Sequence, residues 1–128
     1  MASLTLYHNP HCGTCKTATP ILEAEAARKG IKLEKVEFLH HPLTDPQIEH
    51  ILAFLGAKDH NKTDAEREQI MQTFLRKDAP KVKSVNEVLE VLRNDPGLMQ
   101  RPIVVNWAKE KAMICRPAEL VLEMTKDL

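Results

Sequence analysis

Leu4-Thr5-Leu6-Tyr7-His8-Asn9-Pro10-His11-Cys12-Gly13-Thr14-Cys15-Lys16 is the stretch on which the fold turns. Residues 4–7 alternate and stop at His8-Asn9-Pro10, the pattern of a short strand feeding a loop. From Cys12 the apolar spacing becomes helical and runs to Lys29, with Gly30 as the C-terminal stop. Pro20 lies inside that helix, lacks an N–H and crowds the turn before it, so a kink is expected there. Residues 31–38 form a second strand, whose apolar parity shifts between Leu33 and Val36 and leaves room for a bulge or an early end. Strand, helix, strand in this order predicts a right-handed unit with two parallel strands.

The middle of the chain is helical. Three capping boxes follow one another, Thr44 with Gln47, Thr63 with Glu66 and Ser84 with Glu87. Each precedes an apolar stripe at helical spacing: Ile48, Ile51, Leu52 and Leu55; Ile70, Met71, Phe74 and Leu75; Val85, Val88, Leu89 and Leu92. Gly56, Pro80 and Asp95-Pro96-Gly97 break the pattern. After Gly97 two compact apolar runs, Ile103-Val104-Val105 and Ala112-Met113-Ile114-Cys115, flank polar Lys109-Glu110-Lys111 and predict a hairpin. Pro117 suits the first turn of a last helix carrying Leu120, Val121 and Met124. The order defines an α/β fold, a thioredoxin-like (glutaredoxin-type) mixed sheet: one domain over residues 1–128, with a helical insertion at about 44–95.

The totals narrow the function. A chain of 128 residues, 43% hydrophobic and 28% charged, has the composition of one globular domain. Eighteen basic and eighteen acidic residues balance to zero net charge, which argues against direct nucleic-acid or membrane-surface binding. No run has the length of a membrane span, and Met1-Ala2-Ser3-Leu4-Thr5 lacks the layout of a signal peptide. Three cysteines do not make a secreted disulfide framework, so a reducing cytoplasm is the expected compartment.

In that setting Cys12-Gly13-Thr14-Cys15 is a redox or nucleophilic site. At a helix N-terminus the free N–H groups and the positive end of the dipole favour a thiolate on Cys12. Cys15, one turn deeper on the same face, fits a resolving role. Half a zinc site has the same spacing, but the chain has no second Cys pair or His-x-x-x-His partner to complete it, so no metal is expected. His8 is placed either to support the Cys12 thiolate or as a solvent-exposed loop residue. His11 adjoins Cys12, and His40, His41, His50 and His60 are expected at the surface. Arg101-Pro102 heads a strand where this fold sets a cis-proline against the cysteine loop. Three arginines converging on a thiolate form an oxyanion site, because the guanidinium fork matches tetrahedral oxyanions. Cys115 is open to two readings, a buried strand residue or a third redox partner.

The run Tyr7-His8-Asn9-Pro10-His11-Cys12-Gly13-Thr14 resembles the active-site loop of glutaredoxin-dependent arsenate reductases. Arg101-Pro102-Ile103-Val104-Val105 resembles their cis-proline strand, Cys115-Arg116-Pro117 their last arginine, and Leu75-Arg76-Lys77 the segment with their remaining arginine. The resemblance implies Cys12 as nucleophile, His8 as its support, and Arg76, Arg101 and Arg116 as oxyanion ligands. It also implies no bound cofactor, arsenate or a similar oxyanion as substrate, and glutathione with glutaredoxin as co-substrate system. One departure stands out: those reductases generally carry a single cysteine in this loop. The second, Cys15, makes the run similar to the active-site helix of thioredoxins and to the switch of Spx-type transcription regulators. Two alternatives therefore accompany the arsenate reading. One is a thiol–disulfide oxidoreductase cycling Cys12 and Cys15 with thioredoxin or glutaredoxin partners. The other is a redox-switched regulator of the Spx kind that binds RNA polymerase.

Overall fold

The computed structural model describes residues 2–128, which divide into two compact units. The first joins the chain up to His41 to Arg101–Leu128, and the second is Pro42–Gln100.

In the first unit the strands β1 (Ser3–His8), β2 (Lys32–Glu37), β3 (Ile103–Asn106) and β4 (Lys111–Ile114) form one sheet in the order β2-β1-β3-β4. β1 runs parallel to β2 and antiparallel to β3, and β3 and β4 make the expected hairpin. The pairing of β1 with β2 is unbroken from Ser3 opposite Lys32 to His8 opposite Glu37, so the bulge allowed by the sequence is not there. β2 is an edge strand with no fully buried residue, and a parity shift costs little where neither face is sealed.

Helix α1 (Gly13–Lys29) links β1 to β2. Gly30 closes it in the left-handed conformation, φ 68°, and the N–H groups that follow it return to the last turn. The helix continues through Pro20, which lies on its exposed side. Its buried side chains Ala18, Leu22 and Ala26 recur every four residues and join Leu4, Leu6 and Val104 in the core. The last element, Ala118–Thr125, is a 3-10 helix preceded by Pro117 rather than an α-helix containing it. Its core residues Ala118, Val121 and Met124 are spaced by three, which a helix of three residues per turn stacks on a single line.

The second unit holds α2 (Asp45–Leu55), α3 (Asp64–Thr73), α4 (Val85–Asn94) and a 3-10 turn at Pro96–Leu98. Thr44 and Thr63 close complete capping boxes with Gln47 and Glu66. Ser84 closes only half of one: its hydroxyl accepts from the Glu87 N–H, but the Glu87 carboxylate accepts from the Lys83 N–H. At φ −144° the Ser84 backbone is more extended than Thr44 (−74°) or Thr63 (−72°), which turns its own N–H away from the carboxylate. The second apolar stripe outlasts its helix. Phe74 caps α3, Leu75 forms a β-bridge with Met99, and the Arg76 N–H donates to the Leu98 carbonyl at 2.8 Å. The Gln72 side chain holds the following loop, donating to the Pro80 carbonyl and accepting from the Val82 N–H.

Candidate active site

The site grows out of the turn between β1 and α1. Asn9 organises it: the Asn9 carbonyl accepts from the Cys12 N–H at 3.0 Å, and its Oδ1 accepts from the His11 N–H at 2.9 Å. Side-chain-to-backbone turns of this kind are a common use of Asn before Pro. The turn leaves Cys12 in extended backbone, φ −86° and ψ 128°, as the N-cap of α1. Its sulfur makes no aligned capping bond; the first-turn N–H groups act on it as nearby partial positive charge.

Arg116 arrives from the loop after β4. Its Nη1 donates to the Arg101 carbonyl at 2.8 Å and to the Cys12 Sγ at 3.8 Å, so one guanidinium nitrogen spans the strand end and the thiol. Burial pushes the Cys12 thiol up. The Cys15 N–H, the Arg116 guanidinium, the Cys15 thiol and the Thr14 N–H outweigh it and lower the thiol from 9.0 to about 7. Cys12 is thus largely thiolate just above neutral pH. An acid whose folded value is lowered contributes stability above its unfolded value, and that contribution is lost as pH falls toward 7. Alkylation of Cys12 by iodoacetamide is expected to rise about tenfold per pH unit up to about 7 and then level off. A rise continuing to pH 9 would show an ordinary thiol.

Cys15 is its opposite in exposure and in the net direction of its shift. It is only 1% exposed, and its Sγ accepts from the Asn9 N–H at 3.4 Å. Burial pushes its thiol up, the Asn9 N–H draws it down, the Cys12 charge and hydrogen bond push it up again, and the Arg101 charge draws it down; the balance is about 11. The pair therefore divides into an accessible thiolate and a buried thiol that hydrogen-bonds to it.

Arg101, 7% exposed, turns its side chain inward, with Cζ 5.5 Å from the centroid of the Phe38 ring. Arg101-Pro102 is a cis peptide, as the sequence anticipates, and Arg116-Pro117 is a second one. His8 ends β1 half-buried. Burial lowers its pKa most, and the charges acting on it belong to Glu37, Lys35 and Glu23. That direction disfavours the charged imidazole that electrostatic support of the Cys12 thiolate would use. Arg76 belongs to the second unit, and the resemblance alone carries its assignment as an oxyanion ligand. Cys115 is buried in the first unit's core among Leu4, Leu22 and Val121, and burial raises its thiol to about 12, the state of an inert structural cysteine. Among the described residues no group of three or more His, Cys, Asp or Glu is placed to hold a metal, and no helix is long and apolar enough to cross a membrane. Sequence reasoning missed Asn9 as a site residue. Its signal was the Asn-Pro pair at the strand end, a turn cue that says nothing of sulfur.

A lowered thiol at the N-cap of the helix that follows the first strand of a four-stranded mixed sheet defines a thiol oxidoreductase of thioredoxin-like fold. The family is narrower: residues 7–124 match the model of the ArsC family, and the chain belongs to it. It is 27% identical to an arsenate reductase of Escherichia coli, over 99% of this chain and 84% of that protein. It is 28% identical to an arsenate reductase of Haemophilus influenzae, over 95% and 98% of the two chains. A solved structure of a putative arsenate reductase from Yersinia pestis superposes with a TM-score of 0.61 at 28% identity, covering 94% of this chain and 98% of the other. The arsenate reductase of Vibrio cholerae shares the fold at a TM-score of 0.64, with 24% identity over 95% and 97% of the chains. By sequence and structure this protein is an arsenate-reductase-like thiol oxidoreductase.

Proposed function

We propose that the protein reduces arsenate to arsenite, with Cys12 as nucleophile, Arg116 as oxyanion ligand and a thiol as electron donor. The observation that carries this reading is the Arg116 guanidinium placed on the Cys12 sulfur at a helix N-terminus. A simple disulfide exchange does not require a cationic fork beside the nucleophile, whereas a tetrahedral oxyanion does.

The Cys12 thiolate attacks arsenic and displaces one oxygen, which leaves as water after taking up protons; an S–As(V) bond replaces an As–O bond. The Arg116 guanidinium, held by the Arg101 carbonyl and 3.8 Å from the Cys12 sulfur, stabilises the charge on the remaining oxygens. A second thiol then attacks the Cys12 sulfur. As the S–S bond forms the S–As bond breaks, its electron pair stays on arsenic, and As(III) departs as arsenite. Glutathione with glutaredoxin is the reducing system that the resemblance implies.

The test is arsenite release by purified protein supplied with arsenate, glutathione and glutaredoxin. Turnover is expected, and Arg116→Ala is expected to lower kcat by about 10²-fold, the usual cost of one oxyanion donor. No arsenite above the protein-free control, with any thiol donor, overturns the reading.

A further inference from the structure

The groups a second thiolate requires are gathered around Cys15. Its sulfur faces the Asn9 N–H, 3.4 Å away, in a turn pinned by two more Asn9 hydrogen bonds. The buried Arg101 guanidinium supplies positive charge to it. At 1% exposure it is closed to thiols in solution, and its thiol hydrogen-bonds to Cys12. An isolated structural cysteine has no need of this arrangement, and Cys115, buried in the core, lacks it. The Cys115 thiol donates to the Met113 carbonyl at 3.6 Å and is drawn down by the Val104 N–H, while burial dominates.

We propose that Cys15 is the thiol that resolves the Cys12–arsenic adduct, so that the external reductant acts on a Cys12–Cys15 disulfide and is a protein dithiol of the thioredoxin or glutaredoxin kind. This rests on the arsenate reading above and names its second step. The adduct itself arms Cys15. In the resting protein burial raises the Cys15 thiol and the neighbouring Cys12 thiolate raises it further. Once sulfur binds arsenic, the negative charge moves from Cys12 to the arsenate oxygens beside Arg116. The Asn9 N–H and Arg101 then act against burial alone. Cys15 gives up its proton to water and its sulfur attacks that of Cys12. The S–S bond forms, the S–As bond breaks, and two thiols together lose the two electrons that arsenic gains. A dithiol then opens the disulfide by two exchanges and restores both thiols.

The experiment is a single turnover of pre-reduced protein, freed of reductant and mixed with arsenate. About one arsenite per chain is expected, with loss of two of the three free thiols and an intact-mass decrease of two hydrogens. Cys15→Ser and Cys15→Ala are expected to release no arsenite until glutathione is added. If wild type releases arsenite only with glutathione, and the Cys15 variants match it, the role of Cys15 is overturned while the arsenate reading stands. If wild type releases none with or without glutathione, the arsenate reading itself fails. The wild-type thiol count and mass depend on no variant, so a misfolded substitution does not blunt the test.

Discussion

Cys12→Ser is expected to reduce arsenite formation by on the order of 10³-fold or more, to the level of the protein-free control. Two losses combine. A serine hydroxyl is not ionised by the groups that bring Cys12 to about 7, so the nucleophile is gone. Oxygen in place of sulfur also removes the electron pair transfer, because no disulfide can form at residue 12. The measurement is arsenite release with reductant in excess, alongside a thermal melt. Cys12 is the partly exposed N-cap of α1, and its sulfur makes no aligned capping bond, so the melt is expected to move little. An enzyme that keeps a tenth of its rate would place the nucleophile elsewhere.

Leu6→Ala is expected to destabilise the protein by about 2–5 kcal/mol. Leu6 is 0% exposed and lies in the second strand of the sheet order, opposite Lys35 on one side and Val104 on the other. It belongs to the same core as Ala18 and Leu22 of α1 and Val121 of the last 3-10 helix. Truncation removes buried surface from that core and leaves a cavity that strands paired on both sides of β1 resist closing. Against a typical total of about 5–15 kcal/mol the loss is large. Urea denaturation reads it as a lower midpoint with an unchanged slope. Leu33→Ala, a half-buried residue on the edge strand, is expected to cost clearly less, and equal losses at the two positions would contradict this account of the core.

Much of this is legible in the amino-acid sequence. The cysteine loop, the helix stop at Gly30, the two threonine capping boxes and the hairpin each depend on residues close together in sequence. Where reading failed, a local pattern had more than one geometric solution. Leu33 and Val36 suggested a bulge, but an edge strand tolerates broken parity without one. Ser84 and Glu87 have the spacing of a full box, yet the Ser84 backbone angle sends the carboxylate to Lys83 instead. Leu120, Val121 and Met124 marked a helix correctly, but Ala118, Val121 and Met124 set its pitch.

The site divides in the same way. Sequence by itself determined that Cys12 caps a helix and that Cys15 lies one turn behind it, because both follow from four consecutive residues and the helical repeat. It also placed an arginine on either side of the terminal hairpin. Only the tertiary structure decided that Arg116 reaches the Cys12 sulfur while the Arg101 side chain turns inward over Phe38 and acts on Cys15. It likewise half-buried His8, which lowers its pKa, and buried Cys115 in the core. The reason is physical: the direction of a long cationic side chain, and the value of a thiol, are set by packing and charge from segments about a hundred residues away.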